Sequence, residues 1–561
     1  MADAAAPLGE IIADPTVLAR RGLLEPPRLP RPSEIFLPER RNSAGLALSE
    51  NGVRAPLVAA MEEALAGTLA AMPIVAGEMR TGAGPPREVL SPHDRSQRVG
   101  WVTEAEPALI EAALMSACAA APGWDRRGPA RALILERAAD LYERDRARLM
   151  AVMVREAGKT LEGALGDVRE AVDFLRYYAS EARRLFTAPL SLAGPTGESN
   201  TLELRARGPF ACISPWNFPL AIFTGQIAAA LAAGNPVLAK PAAQTPICAF
   251  LAVRLLHEAG VPADVLHLLP GSGRIGGALI REARIAGVAF TGSNATAAAI
   301  QQGLAGRGGA MVPFIAETGG LNAMIADSSA LPEQVVRDLV RSAFDSAGQR
   351  CSAARLFFVQ ADVAKRMLEM LTGAVETLRI GDPFDYATDV GPVIDEAARQ
   401  RLEAHKARMR TLARPLVDLA MPPECRGGTY VTPAVYGLAD AGMLKEEVFG
   451  PILHVVEFAG GHLDRVIDAI NASGYGLTLG LHSRIAAVWD LVAERARVGN
   501  LYINRNQIGA VVGVQPFGGE GLSGTGPKAG GPNYLVRFAS ERVRTRDVTA
   551  TGGNLALIGG K

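Results

Sequence analysis

The sequence predicts an α/β fold in which parallel strands form a sheet with helices on both faces. The chain has 561 residues, of which 48% are hydrophobic and 21% are charged, so a large buried core is expected. Its middle part alternates short β-branched or apolar runs with longer helical runs, as βαβ units do. Prolines and glycines stand at the ends of those helical runs.

The amino-terminal part of the chain precedes this alternation. Residues 1–50 are rich in Pro and Arg, which favours an extended linker over a packed element. From Val53 to Leu185, Ala, Leu, Glu and Arg dominate, and apolar residues recur at spacings of three and four. This spacing predicts helices that cover the sheet.

The middle of the chain contains five runs that predict successive parallel strands. Thr245 and Pro246 indicate the cap and first residue of one connecting helix, and Gly234 and Gly260 lie just past two helix ends. The five predicted strands are ACIS (211–214), PVLAKP (236–241), VLHLLPG (265–271), GVAFTG (287–292) and VPFIAE (312–317).

A second α/β lobe is predicted to follow these strands. It begins with the strand-like NAMIA at Asn322 and continues through a helix over 335–344. It then returns to the strand LFFVQ at 356–360.

Charge and cysteine usage exclude several classes of protein. Lys plus Arg and Asp plus Glu each number 58, so no net charge favours nucleic acid or an anionic membrane. The five cysteines include no Cys-x-x-Cys, and the seven histidines lack metal-ligand spacing, so neither disulfides nor a metal is predicted. The acidic amino terminus does not resemble a signal peptide, and the apolar stretch 220–233 is too short to span a membrane. We therefore expect a cytoplasmic protein.

A glycine motif follows one predicted strand. Gly271, Gly273 and Gly276 form G-x-G-x-x-G, a pattern found in dinucleotide sites. Those sites also use an acid about 20 residues further on, yet 291–300 contains none. A plain glycine-rich turn between strand and helix therefore remains an equal alternative.

Four further residues are candidates for chemistry. Cys351 follows Arg350, and a thiol near cationic charge and backbone amides can have a lowered pKa and act as a nucleophile. Glu317 closes a predicted strand, where it is either a general base or a solvated loop acid. Asn217 could donate to an oxyanion or simply form a turn. Lys240 ends a strand, where side chains face the ligand crevice of a parallel sheet.

Seven sequence motifs carry a family resemblance. Over about residues 90–545 the chain resembles the aldehyde dehydrogenase superfamily. Its glycine-rich carboxy-terminal part is similar to the L-glutamate γ-semialdehyde (Δ1-pyrroline-5-carboxylate) dehydrogenases, and more narrowly to the carboxy-terminal half of the bifunctional proline utilization A proteins. In chain order, the motifs are SPWNFP, LAKPA, FTGS, ETGG, GQRCS, EEVFGP (446–451) and NxxGAxxGxQPFGG (506–519).

The resemblance implies an aldehyde dehydrogenase fold: a Rossmann-like NAD-binding domain over 51–316, a catalytic domain over 317–505, and a substrate anchor loop with an oligomerisation segment over 506–561. A hairpin near 195–207 belongs to the small β oligomerisation element. This hairpin and the tail after Phe538 are the expected contacts of a homodimer.

The same resemblance concerns the amino terminus. Residues 3–15 and 35–49 resemble the end of a proline dehydrogenase barrel and the linker after it. Since no barrel of about 250 residues precedes them, we expect a dehydrogenase half that binds no FAD. The proline dehydrogenase half is normally fused to it or associated with it.

For the reaction, the resemblance implies NAD-dependent oxidation of L-glutamate 5-semialdehyde to L-glutamate, the second step of proline breakdown. Cys351 would attack the aldehyde, Asn217 would stabilise the oxyanion, and Glu317 would activate the water that hydrolyses the thioester. The expected cofactor residues are Ile213, Ser214, Lys240, Gly273, Gly292, Ser293, Glu447 and Phe449.

One cofactor position departs from the family pattern. Relatives usually read Lys-Pro-Ala-Glu where this chain reads Lys240-Pro241-Ala242-Ala243. The missing acid normally binds the adenosine ribose, so weaker NAD binding by about 1–3 kcal/mol is expected. Loss of its charge also makes NADP an alternative cofactor.

The substrate residues complete the prediction. By resemblance, the backbone amides of an anchor loop hold the substrate carboxylate, a hydroxyl assists, aromatic side chains form the walls, and an acid lies near the amine. These residues are Gly509, Ala510, Ser352, Phe517, Phe218 and Glu170. Three alternatives remain. They are an aldehyde dehydrogenase of different specificity, a non-catalytic scaffold, and a nucleotide-binding homologue whose cofactor use is impaired or altered toward NADP because of Ala243.

Overall fold

A computed structural model describes residues 30–82, 84–194 and 198–547, together with positions 9, 12–14, 16 and 17. The end of the tail predicted after Phe538, from 548 onward, and positions 195–197 of the predicted hairpin lie outside these residues. The helices are α1 Asn51–Leu65, α2 Pro107–Asp125, α3 Ala130–Arg144, α4 Arg146–Ala157, α5 Leu161–Phe186, α6 Ala221–Ala232, α7 Pro246–Glu258, α8 Gly273–Arg281, α9 Asn294–Gly306, α10 Pro332–Phe344, α11 Ala361–Glu376, α12 Glu396–Leu412, α13 Leu463–Ala472 and α14 Ala486–Arg495.

The strands alternate with these helices along most of the chain. They are β1 Leu69–Ala71, β2 Ile74–Val75, β3 Glu78–Met79, β4 Arg87–Leu90, β5 Arg98–Val102, β6 Leu190–Leu192, β7 Ser199–Ala206, β8 Phe210–Ile213, β9 Val237–Lys240, β10 Leu266–Leu268, β11 Gly287–Thr291, β12 Phe314–Glu317, β13 Ala323–Ala326, β14 Leu356–Gln360, β15 Arg414–Asp418, β16 Ala434–Leu438, β17 Ile452–Phe458, β18 Tyr475–Gly476, β19 Thr478–His482, β20 Asn500–Ile503, β21 Glu520–Gly521 and β22 Ala539–Arg546.

In the described ranges, two seven-stranded sheets form the centre of the molecule. The first has the order β12-β11-β8-β9-β10-β2-β3, and β8 to β12 run parallel. The second has the order β15-β16-β17-β14-β13-β19-β20 and is parallel except for β15. The chain crosses from one sheet to the other between Glu317 and Ala323. The predicted α/β class is confirmed.

The predicted strands of the middle region are all present. Their central residues are buried because helices cover both faces, which explains why the runs are continuously apolar rather than alternating. Gly234 and Gly260 follow α6 and α7 with φ of 90° and 108°, a left-handed conformation that glycine adopts without strain.

The prediction of a purely helical region from 53 to 185 is wrong for residues 69–102. Five short strands, β1 to β5, lie there between α1 and α2. Two of them extend the first sheet, and the others form a three-stranded sheet of order β1-β5-β4. These strands have two to five residues, so backbone pairing with distant partners determines them more than local periodicity does.

A buried carboxylate caps helix α7. Thr245 occupies the cap position and Pro246 the first turn, as predicted, but the Thr245 side chain makes no cap hydrogen bond. Instead, Glu156 of α4 accepts hydrogen bonds from the backbone N–H groups of Ile247 and Cys248 at 2.7 and 3.0 Å. This contact attaches α4 to the helix that follows β9.

Part of the predicted amino-terminal linker packs against the body. Residues 40–48 form no helix or strand, yet Arg40 and Ser43 are buried. The hydroxyl and N–H of Ser43 donate to Asp173 at 2.8 and 2.9 Å, and Arg40 donates to the carbonyl of Val512 at 2.8 Å. The buried carboxylate of Asp173 explains why this stretch is ordered.

A small antiparallel sheet has the order β22-β7-β6. Strand β22 pairs with β7 over its whole length, from Ala539 opposite Ala206 to Arg546 opposite Ser199. The two segments predicted to form the oligomerisation element therefore lie side by side in one chain. None of the helices in the described residues is long and apolar enough to cross a membrane.

Candidate active site

The loop that carries Cys351 begins with an unusual turn. Helix α10 ends at Phe344, as predicted, and Ser346, Ala347 and Gly348 then adopt φ of 57°, 53° and 66°. Left-handed backbone at non-glycine residues is strained and occurs preferentially at functional sites. At Gly348, any Cβ would approach the carbonyl of Gly450 to 2.1 Å, so only glycine fits.

A fully buried arginine holds this loop in place. Arg355 donates to the carbonyls of Gly348 and Arg350 at 2.7 and 2.9 Å. Its guanidinium also lies 3.4 Å from the carboxylate of Glu447 and 5.3 Å from the ring centroid of Phe449. Arg355 thereby joins the cysteine loop to the predicted cofactor residues of EEVFGP.

The Cys351 thiol is protonated at neutral pH. Burial raises its pKa to about 12, and the negative charges of Glu317, Glu447 and Glu170 act in the same direction. A hydrogen bond from the backbone N–H of Ser352 opposes them. The expectation of a lowered pKa is therefore wrong, and the nucleophile needs a base that removes its proton.

Arg350 does not act as the cation that the sequence suggested. It pairs with Asp345, with 3.2 Å between Nη2 and Oδ2, and lies over the Phe218 ring at 5.2 Å. Its guanidinium is thus engaged by a carboxylate and by an aromatic ring of the cavity wall.

Asn217 lies beside the cysteine loop. Its Nδ2 donates to the carbonyl of Gln349 at 3.1 Å, two residues before Cys351. The backbone carbonyl of Asn217 accepts a hydrogen bond from Lys159 at 2.9 Å, and Lys159 pairs with buried Asp167 at 3.0 Å. The backbone is therefore fixed by Lys159 and the side-chain amide by the Gln349 carbonyl, and the amide has a second N–H that could donate to a developing oxyanion.

Glu317 ends strand β12 on the other side of the cavity. Its Oε1 accepts a hydrogen bond from the backbone N–H of Gly519 at 2.8 Å. Burial raises its pKa to about 8, while this hydrogen bond and the charge of Lys528 lower it. Lys528 is fixed by the carbonyls of Gly499 and Gly518 at 2.5 and 2.6 Å. A carboxyl with a pKa near neutrality is suited to general base catalysis.

One open cavity brings Cys351 and Glu317 together with the predicted substrate residues, whereas Asn217 is not among the residues that line it. Its walls are mainly aromatic and aliphatic, with polar groups at a few points, as in many small-molecule sites. Gly509 of its rim has φ of 73°, and Phe517 is fixed by paired backbone hydrogen bonds with Ala529. The predicted residues that line it are Cys351, Glu317, Ser352, Gly509, Ala510, Phe517, Phe218 and Glu170.

Glu170 of α5 is a second acid that lines the cavity. Burial and the neighbouring charge of Asp167 raise its pKa to about 7, while Arg350 and Lys159 lower it. Glu170 can therefore change its charge state near neutral pH.

Six of the eight predicted cofactor residues, all except Glu447 and Phe449, belong to strands of the first sheet or to the segments that follow those strands at the carboxyl edge of the sheet. In the strand register, Ile213 lies opposite Lys240 and Phe290, and Thr291 lies opposite Glu317. The N–H of Ser214 donates to the carbonyl of Lys240 at 3.1 Å. Ligands of open α/β sheets bind at this edge.

Glycines leave room for a dinucleotide beside this edge. A Cβ on Gly276 would lie 3.9 Å from the side chains of Ile213 and Lys240, and one on Gly273 would meet nothing within 4 Å. Burial lowers the pKa of Lys240 to about 8. Gly273 opens α8, and Ser293 caps α9, so two helix N-termini offer backbone N–H groups to a pyrophosphate. These residues fit NAD.

The nicotinamide end of the predicted site lies between the two sheets. The carboxylate of Glu447 packs directly on Gly319, where a Cβ would approach its Oε2 to 1.9 Å. Phe449 packs edge-on against Trp216, with ring centroids 5.5 Å apart. Gly292 donates its N–H to the carbonyl of Glu317 at 3.1 Å, which ties the FTGS turn to the base.

Comparison with known proteins is consistent with this geometry. A family model described as the aldehyde dehydrogenase family matches residues 80–543. The chain belongs to the aldehyde dehydrogenase family. The bifunctional protein PutA of Escherichia coli (strain K12) is 48% identical over 559 residues. That match covers 97% of this chain but only 41% of the PutA chain.

Two other relatives of this aldehyde dehydrogenase are matched over nearly their whole length. The 1-pyrroline-5-carboxylate dehydrogenase of Geobacillus thermodenitrificans (strain NG80-2) is 36% identical, over 86% of this chain and 94% of its own. The crystal structure of 1-pyrroline-5-carboxylate dehydrogenase from Thermus with bound NAD is 31% identical with a TM-score of 0.85. It is covered over 98% of its length, and this chain over 90%. The predicted family and fold are thereby confirmed.

Sequence reasoning missed the residues that hold the site together. Arg355, Lys528 and Glu156 were not singled out, because each acts through backbone groups or residues far away in sequence. Arg355 follows the Cys351 motif by four positions, and Lys528 lies in a run of glycines. The sequence signal that could have identified Arg355 and Lys528 is a charged residue close to a predicted catalytic motif or to a glycine-rich turn.

Proposed function

We propose that this aldehyde dehydrogenase oxidises L-glutamate 5-semialdehyde to L-glutamate with NAD as the cofactor, which is the second step of proline catabolism. The observation that carries the proposal is the single cavity shared by Cys351, Glu317 and the Gly509–Ala510 loop. It combines a nucleophile, a base and a loop of small residues whose backbone can approach a carboxylate. The 1-pyrroline-5-carboxylate dehydrogenase names of the relatives support the same substrate.

In the first step, the sulfur of Cys351 attacks the aldehyde carbon. A C–S bond forms, the carbonyl oxygen becomes an oxyanion, and the thiol proton leaves. Glu317 accepts that proton, because its pKa of about 8 leaves part of it ionised at neutral pH. The second N–H of the Asn217 amide and the backbone N–H of Cys351 stabilise the oxyanion of the thiohemiacetal.

The second half of the reaction releases the acid. NAD, when bound, accepts the hydride from the thiohemiacetal carbon. Glu317 releases the thiol proton to solvent and then takes a proton from water, the resulting hydroxide attacks the thioester carbon, and the C–S bond breaks. Glutamate leaves, and the thiolate of Cys351 regains a proton.

Substrate recognition uses the opposite end of the cavity. The N–H groups of Gly509 and Ala510, with the Ser352 hydroxyl, hold the α-carboxylate, and Phe218 and Phe517 enclose the aliphatic chain. Glu170 pairs with the α-ammonium group in its ionised form. The cofactor residues predicted from the sequence bind NAD along the carboxyl edge of the first sheet.

We also propose the domain divisions, the cellular location and the partners of the protein. The domains follow the predicted divisions at 51–316, 317–505 and 506–561, and the reaction takes place in the cytoplasm. The β22-β7-β6 sheet has free edges that pair with a second copy to give a homodimer. The 97% match to part of PutA supports a proline dehydrogenase partner, fused or associated.

Steady-state NADH formation from L-glutamate 5-semialdehyde tests the function. NAD and NADP are compared at saturating semialdehyde, and glutarate semialdehyde, which lacks the α-amino group, serves as the matched substrate. We expect turnover with NAD and a clear preference for the amino acid substrate. A folded sample that oxidises other aldehydes but not this one would contradict the proposal.

A further inference from the structure

The glycine turn between β10 and α8 has an acid beside it that comes from a distant part of the sequence. Residues 291–300 contain no acid, but the β5–α2 connection brings Glu104 against the turn. A Cβ on Gly271 would lie 3.9 Å from Oε2 of Glu104. The same carboxylate acts on Lys240, whose pKa it raises against the opposing effect of burial. Glu104 is therefore close to both the first glycine of the turn and the lysine at the end of β9.

The backbone on both sides of Glu104 is fixed. Thr103 donates its N–H to the carbonyl of Ala71 at 2.9 Å, and Ala105 donates to the carbonyl of Pro270 at 2.7 Å. The second of these bonds attaches the Glu104 segment directly to the residue before Gly271. Gly82 packs on the Glu104 carbonyl so closely that a Cβ would approach it to 2.2 Å. The carboxylate is thus presented at a set position beside the turn.

Arg87 holds the carboxylate from the outer side. Its Nε lies 3.5 Å from Oε1 of Glu104, and its Nη2 donates to the carbonyl of Ala243 at 2.8 Å. The Arg87 side chain is 46% exposed and that of Glu104 is 34% exposed. A long, half-exposed ion pair of this kind is weak, so the carboxylate keeps the capacity to accept hydrogen bonds from a ligand.

NAD sites with a glycine turn of this kind use an acid to bind the adenosine ribose. A carboxylate beside the glycine turn accepts hydrogen bonds from the ribose hydroxyls of NAD and repels the 2′-phosphate of NADP. Building on the proposed function, we propose that Glu104 accepts the hydrogen bonds of the adenosine ribose hydroxyls and sets the preference for NAD over NADP. Arg87 is then a positioning residue that orients this carboxylate.

Direct titration of the free enzyme with NADH and NADPH, followed by cofactor fluorescence, tests the role of Glu104. The Glu104→Gln variant keeps the size of the side chain and loses its charge. We expect its Kd for NADH to rise at least about tenfold, the equivalent of one hydrogen bond to a charged group. Its Kd for NADPH should fall, because the charge that repels the 2′-phosphate is lost. The control is Glu106→Gln, an acid two positions later at the start of α2, which should leave both Kd values unchanged.

Two further variants separate the possible outcomes. Glu104→Asp keeps the charge and should retain a preference for NADH, whereas Arg87→Met should weaken NADH binding because the carboxylate loses its orienting partner. If wild-type enzyme binds neither nucleotide, the proposed function fails. If wild-type enzyme binds NADH and Glu104→Gln binds it equally well, only the role of Glu104 is overturned. If Arg87→Met loses NADPH binding and Glu104→Gln has no effect, the proposal is overturned, because Arg87 rather than Glu104 then determines which cofactor binds.

Discussion

The carboxylate of Glu317 is held by the backbone N–H of Gly519, 2.8 Å away, although the two residues belong to the end of the first sheet and to the carboxy-terminal loop. The hydrogen bond fixes one oxygen of Glu317 and leaves the other for proton transfer. The position of the Glu317 carboxylate therefore depends on the loop that carries the predicted substrate residues Gly509, Ala510 and Phe517.

Replacement of Glu317 by Gln tests whether one base serves both halves of the reaction. Because Glu317 is proposed to deprotonate both Cys351 and water, the variant should lose the pre-steady-state burst of NADH as well as steady-state turnover. The measurement is stopped-flow absorbance with L-glutamate 5-semialdehyde. A full burst followed by slow turnover would restrict Glu317 to thioester hydrolysis.

The rate should depend on pH through the same carboxyl group. Glu317 accepts protons only when ionised, and its pKa is about 8, so turnover should rise as the pH increases through about 8. A pH–rate profile of kcat from pH 6 to 10 checks this expectation. A flat profile over that range would contradict the assignment of Glu317 as the base.

Removal of the charge at Lys528 should move this profile. The Lys528 ammonium lowers the pKa of Glu317, so Lys528→Met should shift the alkaline rise in kcat to higher pH. Lys528→Arg keeps the charge and is the control for lost contacts with Gly499 and Gly518. A loss of thermal stability in Lys528→Met without a shift in the profile would show that Lys528 only supports the loop.

Cys351→Ala should abolish NADH formation while the variant still binds NADH. The control is Cys118→Ser, a half-buried cysteine on α2 that should keep wild-type activity. Burial and neighbouring carboxylates raise the Cys351 pKa, so alkylation of the wild-type thiol by iodoacetamide should speed up steadily with rising pH. Peptide mass spectrometry locates the modified residue, and rapid alkylation at pH 6 would contradict the protonated state.

Asn217→Ala should lower kcat about a hundredfold or more. One lost oxyanion donor raises the barrier by about 3 kcal/mol, and the effect should fall on kcat rather than on the KM for substrate. Asn217→Asp keeps the shape but presents a negative charge to the oxyanion, so it should be at least as slow. A change confined to KM would place Asn217 in ground-state binding only.

Glu156→Ala should destabilise the fold without touching the cavity. The substitution leaves two backbone N–H groups at the start of α7 unpaired, which costs about 1–3 kcal/mol. Urea denaturation measures the loss. Glu258→Ala, at the exposed end of the same helix, is the control and should cost less because Glu258 forms only a surface pair with Arg144. Equal losses for both variants would contradict the capping role.

The sequence contained enough information for the strands of the middle region and for the residues proposed to perform the chemistry. The strand runs are continuously apolar in their centres, Glu317 and Asn217 lie at the end of a strand or in the loop after it, and Cys351 lies in the loop after helix α10, so local patterns and spacing locate them. The pKa of Cys351 could not be predicted, because it depends on burial and on three carboxylates from distant segments. The position of Glu104 beside Gly271 depends on backbone pairing between residues 103–105 and two other segments, which no linear motif records.

Strand β22 closes a long loop. The chain leaves the second sheet at Ile503, passes through Gly509, Phe517 and Gly519, and is fastened again at Ala539 by pairing with β7. Both ends of the segment are therefore anchored, and the conformational entropy of the loop is reduced before any substrate arrives. A chain that ends before β22 would lose one anchor. Its substrate affinity would fall, although it would still contain every residue that lines the cavity.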